Sequence, residues 1–151
     1  MAINYNEDTI KDQYLTFTIK GEDYGVEIAF VKEIIKMQPI TKVPETPDFV
    51  EGMINLRGEI VGLLDVRKRF GLPSKEHDEE TCIIIIIHED YKLGIVVDSV
   101  QETATISEDD MTSPPSAKLS YVNQFIRNIG KVNGGVKLLI DIERFLVYDQ
   151  D

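Results

Sequence analysis

Apolar and polar residues alternate along much of this chain with the period of a β-strand. Leu15, Phe17 and Ile19 are separated by Thr16 and Thr18, which predicts a strand with one buried face. Lys20-Gly21-Glu22-Asp23 supplies turn chemistry and Tyr24-Gly25-Val26-Glu27-Ile28 resumes the pattern, so a hairpin is expected. Residues 82–87 read as a second strand, His88-Glu89-Asp90 as its turn and 91–97 as the return. The segment 28–37 fits either period, because Val31, Ile34 and Ile35 suit a helix face while β-branched residues suit a strand. A tight turn followed by a strand through Ile35 is the expectation here.

The same order of features occurs twice, which indicates a duplication. Both hairpins carry Glu-Asp-Tyr, at Glu22-Asp23-Tyr24 and Glu89-Asp90-Tyr91. Phe49-Val50 precedes Met53-Ile54 at the spacing by which Tyr121-Val122 precedes Phe125-Ile126, with prolines shortly before each. Each block then reaches a glycine-marked turn and closes on an apolar pair before one aspartate, Leu63-Leu64-Asp65-Val66 and Leu139-Ile140-Asp141-Ile142. The short amphipathic stretches that follow predict brief helices, with Asp65 and Asp141 as N-caps that accept a backbone N–H.

Short strands with Gly and Pro punctuation favour sandwiches or small barrels over a parallel sheet. Isoleucine fills every position from Ile83 to Ile87, so that strand needs cover on both faces. Two barrels packed together would provide it.

Composition narrows the function. The 151 residues carry a formal net charge of -11, with acidic runs at Glu76, Asp78, Glu79 and Glu80 and at Glu108-Asp109-Asp110. That field repels a phosphate backbone, which argues against nucleic acid as a partner. The single Cys82 has no partner for an internal disulfide and fits a reducing, cytoplasmic setting. Residues 1–12 lack the basic and apolar pattern of a secretory signal and read as a flexible polar lead. The isoleucine run is far below the ~20 apolar residues of a membrane helix, so a soluble protein without membrane insertion is expected.

Motifs for catalysis, metal binding or phosphate cradling are missing from the pattern. His77 and His88 lie in polar surroundings without metal-ligand spacing to Cys82. No catalytic residue, metal site or cofactor is therefore expected. The two copies differ in one suggestive place: Val132-Asn133-Gly134-Gly135 is ordinary turn chemistry, whereas Asn55-Leu56-Arg57-Gly58-Glu59 puts a guanidinium beside the turn glycine. An Arg at a tight turn is ordinarily a solvated charge, yet its planar fork suits a carboxylate or a partner's carbonyls. Glu33 supplies that carboxylate if its strand runs beside the turn.

The stretch Phe49-Val50-Glu51-Gly52-Met53-Ile54-Asn55-Leu56-Arg57-Gly58-Glu59-Ile60-Val61, closing on Leu64-Asp65-Val66-Arg67, closely resembles the signature of the CheW family. Val31-Lys32-Glu33-Ile34, Ile40-Thr41 and Val43-Pro44 fit it upstream, and Gly94-Ile95-Val96-Val97-Asp98-Ser99-Val100 downstream. One departure is Gly62, where the family usually has proline. The resemblance spans about residues 14–148. It implies an all-β fold of two intertwined five-stranded SH3-like barrels with short helices, occupying 13–151 with approximate halves 13–75 and 80–148 and strands open to exchange. It also implies a chemotaxis adaptor that is a monomer when isolated and joins methyl-accepting receptors to the histidine kinase CheA in membrane-proximal arrays. By position, Leu15, Ile28 and Val31 are implied to face the kinase's regulatory domain. Glu33, Gly52 and Arg57 are implied to face the receptor, with Val100 and Thr103 lining a groove between the barrels. Strand alternation leaves open which face of each strand is outward. A coupling domain of another array, such as one for twitching motility, and a nucleic-acid-binding small barrel are the alternatives.

Overall fold

The computed structural model describes residues 10–114 and 121–147. The described chain forms eleven strands: β1 Gln13–Ile19, β2 Glu22–Glu27, β3 Val31–Lys36, β4 Val50–Leu56, β5 Glu59–Asp65, β6 Cys82–His88, β7 Tyr91–Val97, β8 Ser99–Thr105, β9 Met111–Thr112, β10 Ile126–Val132 and β11 Gly135–Ile140. Short helices cover Val66–Arg69 and Ile142–Leu146, and a 3-10 turn at Ile28–Phe30 leads into β3. The two helices start for the expected reason. The Asp65 carboxylate accepts from the Arg67 backbone N–H at 2.9 Å, and Asp141 accepts from that of Arg144 at 3.2 Å.

The strands lie in two sheets, ordered β8-β1-β2-β11-β10-β9 and β3-β6-β7-β5-β4. Each sheet mixes both halves of the chain. β5 pairs in parallel with β7, and β11 pairs in parallel with β2, so each half lends a hairpin to the other's barrel. The larger sheet is a five-stranded barrel with one strand in two pieces, since β8 and β9 follow one another in the chain yet sit at opposite edges. The smaller sheet closes similarly: β3 forms one edge, and Thr41, just beyond it, bridges β4 at the other through bonds of 2.9 and 2.8 Å to Met53.

The duplication holds in a register different from that expected. Asp65 N–H donates to the Phe49 carbonyl and Asp141 N–H to the Phe125 carbonyl, both at 2.8 Å. Phe49 therefore corresponds to Phe125, not to Tyr121, and Arg57-Gly58 corresponds to Asn133-Gly134. The shared Glu-Asp-Tyr is also out of register: the first turn is Lys20-Gly21, with β2 already begun at Glu22, whereas the second is Glu89-Asp90.

The largest apolar cluster draws on both sheets and both helices, including Phe17, Val26, Leu64, Phe70, Ile84, Ile95, Phe125, Ile140 and Phe145. It is the common core on which the barrels pack. Inside the barrel formed by the smaller sheet lies a separate cluster of Ile54, Leu56, Val61, Leu63, Ile83, Ile85 and Val96. The isoleucine run thus serves two cores, with Ile84 and Ile86 facing the shared one and Ile83 and Ile85 the barrel interior, while Ile87 is 39% exposed. Two arginines tie the halves together. Arg67 holds Asp98 through paired bonds of 2.8 and 2.7 Å, and Asp98 also accepts the Lys20 N–H at 2.8 Å. Buried Arg69 lies over the rings of Phe49 and Phe125 and donates to the carbonyls of Phe145 and Val147 at the end of the second helix.

Of the lead expected over 1–12, residues 1–9 lie outside the described residues. Ile10 packs against the shared core and Asp12 accepts the Ile106 N–H at 2.8 Å.

Candidate functional site

The β4–β5 hairpin is closed by Arg57 and Gly58, both with positive φ, at +51° and +88°. Such a two-residue turn matches strand twist but asks for Asn or Gly at its first position. The corresponding turn meets that requirement with Asn133-Gly134, at +40° and +81°. Arg57 occupies the same backbone conformation without the local hydrogen bonding that eases Asn into it, at a cost of about 1–2 kcal/mol. Lys20 and Glu89 hold the same conformation at the β1–β2 and β6–β7 turns, so what sets Arg57 apart is the partner of its side chain. Asn55 supports the turn by accepting the Gly58 N–H at 2.8 Å.

The Arg57 guanidinium pairs with the Glu33 carboxylate, as the sequence suggested. The pair is asymmetric: the Arg57 side chain is 66% exposed and that of Glu33 only 9%. Glu33 therefore orients a cation whose remaining donors point into solvent. Beside it, Lys92 donates to Glu59 at 2.7 Å. That bond raises the Lys92 ammonium and lowers the Glu59 carboxyl.

Gly52 lies near the start of β4, away from the turn, and is buried. Its φ is +141°, and a Cβ there would overlap the Thr41 carbonyl and come within 2.8 Å of Ile40 Cγ2. The residue is demanded by the barrel closure at Thr41–Met53, so its part in the site is to shape β4. Val100 is half-buried against the shared core and Thr103 is exposed on β8.

The side chains of Leu15, Ile28 and Val31 are buried in the shared core. Their outward orientation, implied by the resemblance, is corrected on this point: β1 alternation and the 3-10 turn direct them between the sheets. Exposed neighbours of that region are Ala29 and Lys32.

Sequence reasoning missed an apolar pair near the Arg57 turn. Ile60 is 62% exposed and Tyr91 65%, each two residues before the register pair Gly62 and Leu93 on adjacent strands. Alternation from buried Val61 would have put Ile60 outside; nothing local marks Tyr91.

Asp65 and Glu51 form a carboxyl pair beneath β4. Burial, and then the neighbouring Glu51, push the Asp65 carboxyl up to about 6. Burial also acts to raise Glu51, but the hydrogen bond from Asp65 and the Lys68 ammonium at 3.3 Å outweigh it and hold Glu51 low. With Asp65 engaged as a helix cap, this pair is a structural element. No group of three or more metal-ligating side chains occurs among the described residues, and no helix among them is long and apolar enough to cross a membrane.

A pair of interlocked barrels that presents an oriented arginine and exposed apolar side chains at a strand turn is a protein-interaction scaffold. The CheW-like domain family matches residues 13–150, and the chain belongs to that family. It is 31% identical to the chemotaxis protein CheW of Klebsiella aerogenes, over 92% of this chain and 84% of that protein. It is 33% identical to the CheW of Bacillus subtilis, over 89% and 86%. The crystal structure of the scaffolding protein TtCheW from Thermoanaerobacter tengcongensis superposes with a TM-score of 0.84 at 33% identity, covering 93% of this chain and 95% of that one. The chain is accordingly a chemotaxis adaptor of the scaffolding type.

Proposed function

We propose that this protein couples methyl-accepting chemoreceptors to the histidine kinase CheA in the cytoplasm, binding each through a different surface and catalysing no reaction. The observation that carries the reading is the solvent-facing Arg57 held by buried Glu33. The equivalent turn of the other barrel, Asn133-Gly134, carries no such cation. The receptor-facing surface comprises Arg57 with Glu33 behind it, β4 as shaped by Gly52, and Val100 and Thr103. On the kinase-facing side, Leu15, Ile28 and Val31 fix β1 and the start of β3 from beneath, and the contact falls to exposed neighbours such as Ala29 and Lys32. Holding two partners on one rigid body raises their effective concentration and lets a change in one bias the other.

The test is kinase autophosphorylation in receptor-bearing membranes, with and without this protein. Activation that requires the protein, and attractant inhibition that appears only in its presence, are expected. Equal kinase activity in both samples overturns the proposal.

A further inference from the structure

The barrels are built from equivalent strands, yet their seams differ. The hairpins β1–β2 and β6–β7 correspond, so Val31 opposite Ile86 matches Val100 opposite Phe17, and Ile34 opposite Ile84 matches Thr103 opposite Leu15. Glu33 therefore corresponds to Glu102, as Arg57 does to Asn133. In the first barrel the Glu33–Arg57 pair spans from β3 to the β4–β5 turn. The second has Glu102 and Asn133 at these places, and an open groove of about 1010 Å³ lies between β8 and the β10–β11 turn.

Both walls of this groove are strand edges. Ile106 N–H donates to the Asp12 carbonyl at 2.8 Å, which fixes the phase of the antiparallel β1–β8 ladder. Ala104 thus bonds toward β1, and Thr103 and Thr105 direct their N–H and C=O groups outward. Across the groove, the two-residue turn makes Val132 and Gly135 a bonded pair, so the backbone of Lys131 points away from β11. β9 pairs only with Ile129 and Gly130 and ends short of it. The walls are acidic on balance, with Glu102 and Asp110 lining the groove against Lys131 and Glu108 and Asp109 beside Asp110.

We propose that this seam is a strand-addition site that takes an extended, basic segment of a partner polypeptide along the edge of β8. Ladder bonds to Thr103 and Thr105 supply the pairing, and alternate Lys or Arg side chains of the segment meet Glu102 and Asp110. The first barrel is shut to such a segment because Arg57 occupies the corresponding position. Thr103 is shared with the receptor-facing surface, but the inference rests on the strand edges and its test contains neither receptor nor kinase, so either can fail alone.

The probe is an alternating Lys-Val heptapeptide titrated into the full chain and followed by NMR of the backbone amides. Shifts at Thr103, Thr105 and Lys131, with amide exchange at the two threonines slowed about tenfold or more, are expected. The alternating Glu-Val peptide, and a Lys-Val peptide N-methylated at its ladder-facing amides, should each bind at least about tenfold more weakly. Asn133→Arg, which transplants the ion pair of the first barrel, should likewise weaken binding. Failure of the Lys-Val peptide to shift these amides overturns the proposal. So does equal binding of the N-methylated peptide, which leaves the protein untouched and shows charge attraction without pairing.

Discussion

At the scale of single residues, the turn at Arg57 separates what folding needs from what binding needs. Asn suits the left-handed conformation better than Arg, and the equivalent turn already uses it. Arg57→Asn relieves the backbone but leaves the Glu33 carboxylate without this partner, so urea stability should change by less than about 1 kcal/mol in either direction while receptor coupling weakens. Loss of stability by more than that would show that the ion pair with Glu33 holds the fold. Gly52 makes the opposite case. Any Cβ there meets the Thr41 backbone, so Gly52→Ala should cost about 1–3 kcal/mol in the same measurement, and reduced binding by that variant reports a distorted β4. Gly62 has room for a side chain, since a Cβ added there would lie 3.7 Å from the Leu93 side chain.

At the scale of elements, alternation made most strands legible. β1, β6 and β7 fall where the apolar pattern put them, and the tight turn expected before β3 takes the form of a 3-10 turn. Both helix caps were readable because an aspartate before an amphipathic stretch has a local job that does not depend on tertiary contacts. The register of the repeat was not readable, because the apolar pairs alone align Phe49 with Tyr121, and only the bonds from the Asp65 and Asp141 N–H groups reveal Phe125 as its counterpart. Burial direction was equally hidden where a strand is covered on two faces. Ile84→Ala, in the shared core, should cost about 2–5 kcal/mol, whereas Ile87→Ala, at the exposed end of the same strand, should cost less than about 1 kcal/mol. Equal losses in urea unfolding would place Ile87 in the core too. The Asp65–Glu51 pair predicts a pH effect with a definite sign. The Asp65 carboxyl, up at about 6 when folded, binds its proton more tightly than in the unfolded chain, so its contribution is full at low pH and is lost as pH rises through 6. Asp65→Asn, which keeps both cap and hydrogen-bond donor, should flatten that part of the stability profile. A persistent decline across the same window would assign it to another group.

At the scale of the whole molecule, function depends on two barrels behaving as one body. Exchange of hairpins through the β5–β7 and β11–β2 ladders puts the common core between the halves, and Arg67 and buried Arg69 fasten them. Burial acts to raise Asp98, but Arg67 outweighs it and holds that carboxyl low; its contribution is therefore present at neutral pH and lost as pH falls through its folded value. This intertwining was only an implied possibility in the sequence, since which hairpin joins which barrel is set by long-range pairing that no local pattern encodes. The exposed side chains around the β4–β5 turn were legible by half: Arg57 stood out through comparison of the two copies, but Ile60 and Tyr91 did not, because exposure is a property of the assembled sheet. The central claim is that one rigid scaffold holds receptor and kinase on different surfaces, with Arg57 serving the receptor. Co-sedimentation with receptor-bearing membranes, alongside binding to the isolated regulatory domain of the kinase, measures the two surfaces side by side. Arg57→Asn is predicted to lose about tenfold or more in membrane association while kinase-domain affinity stays within about twofold. An equal fall in both, with the fold intact, would contradict the account.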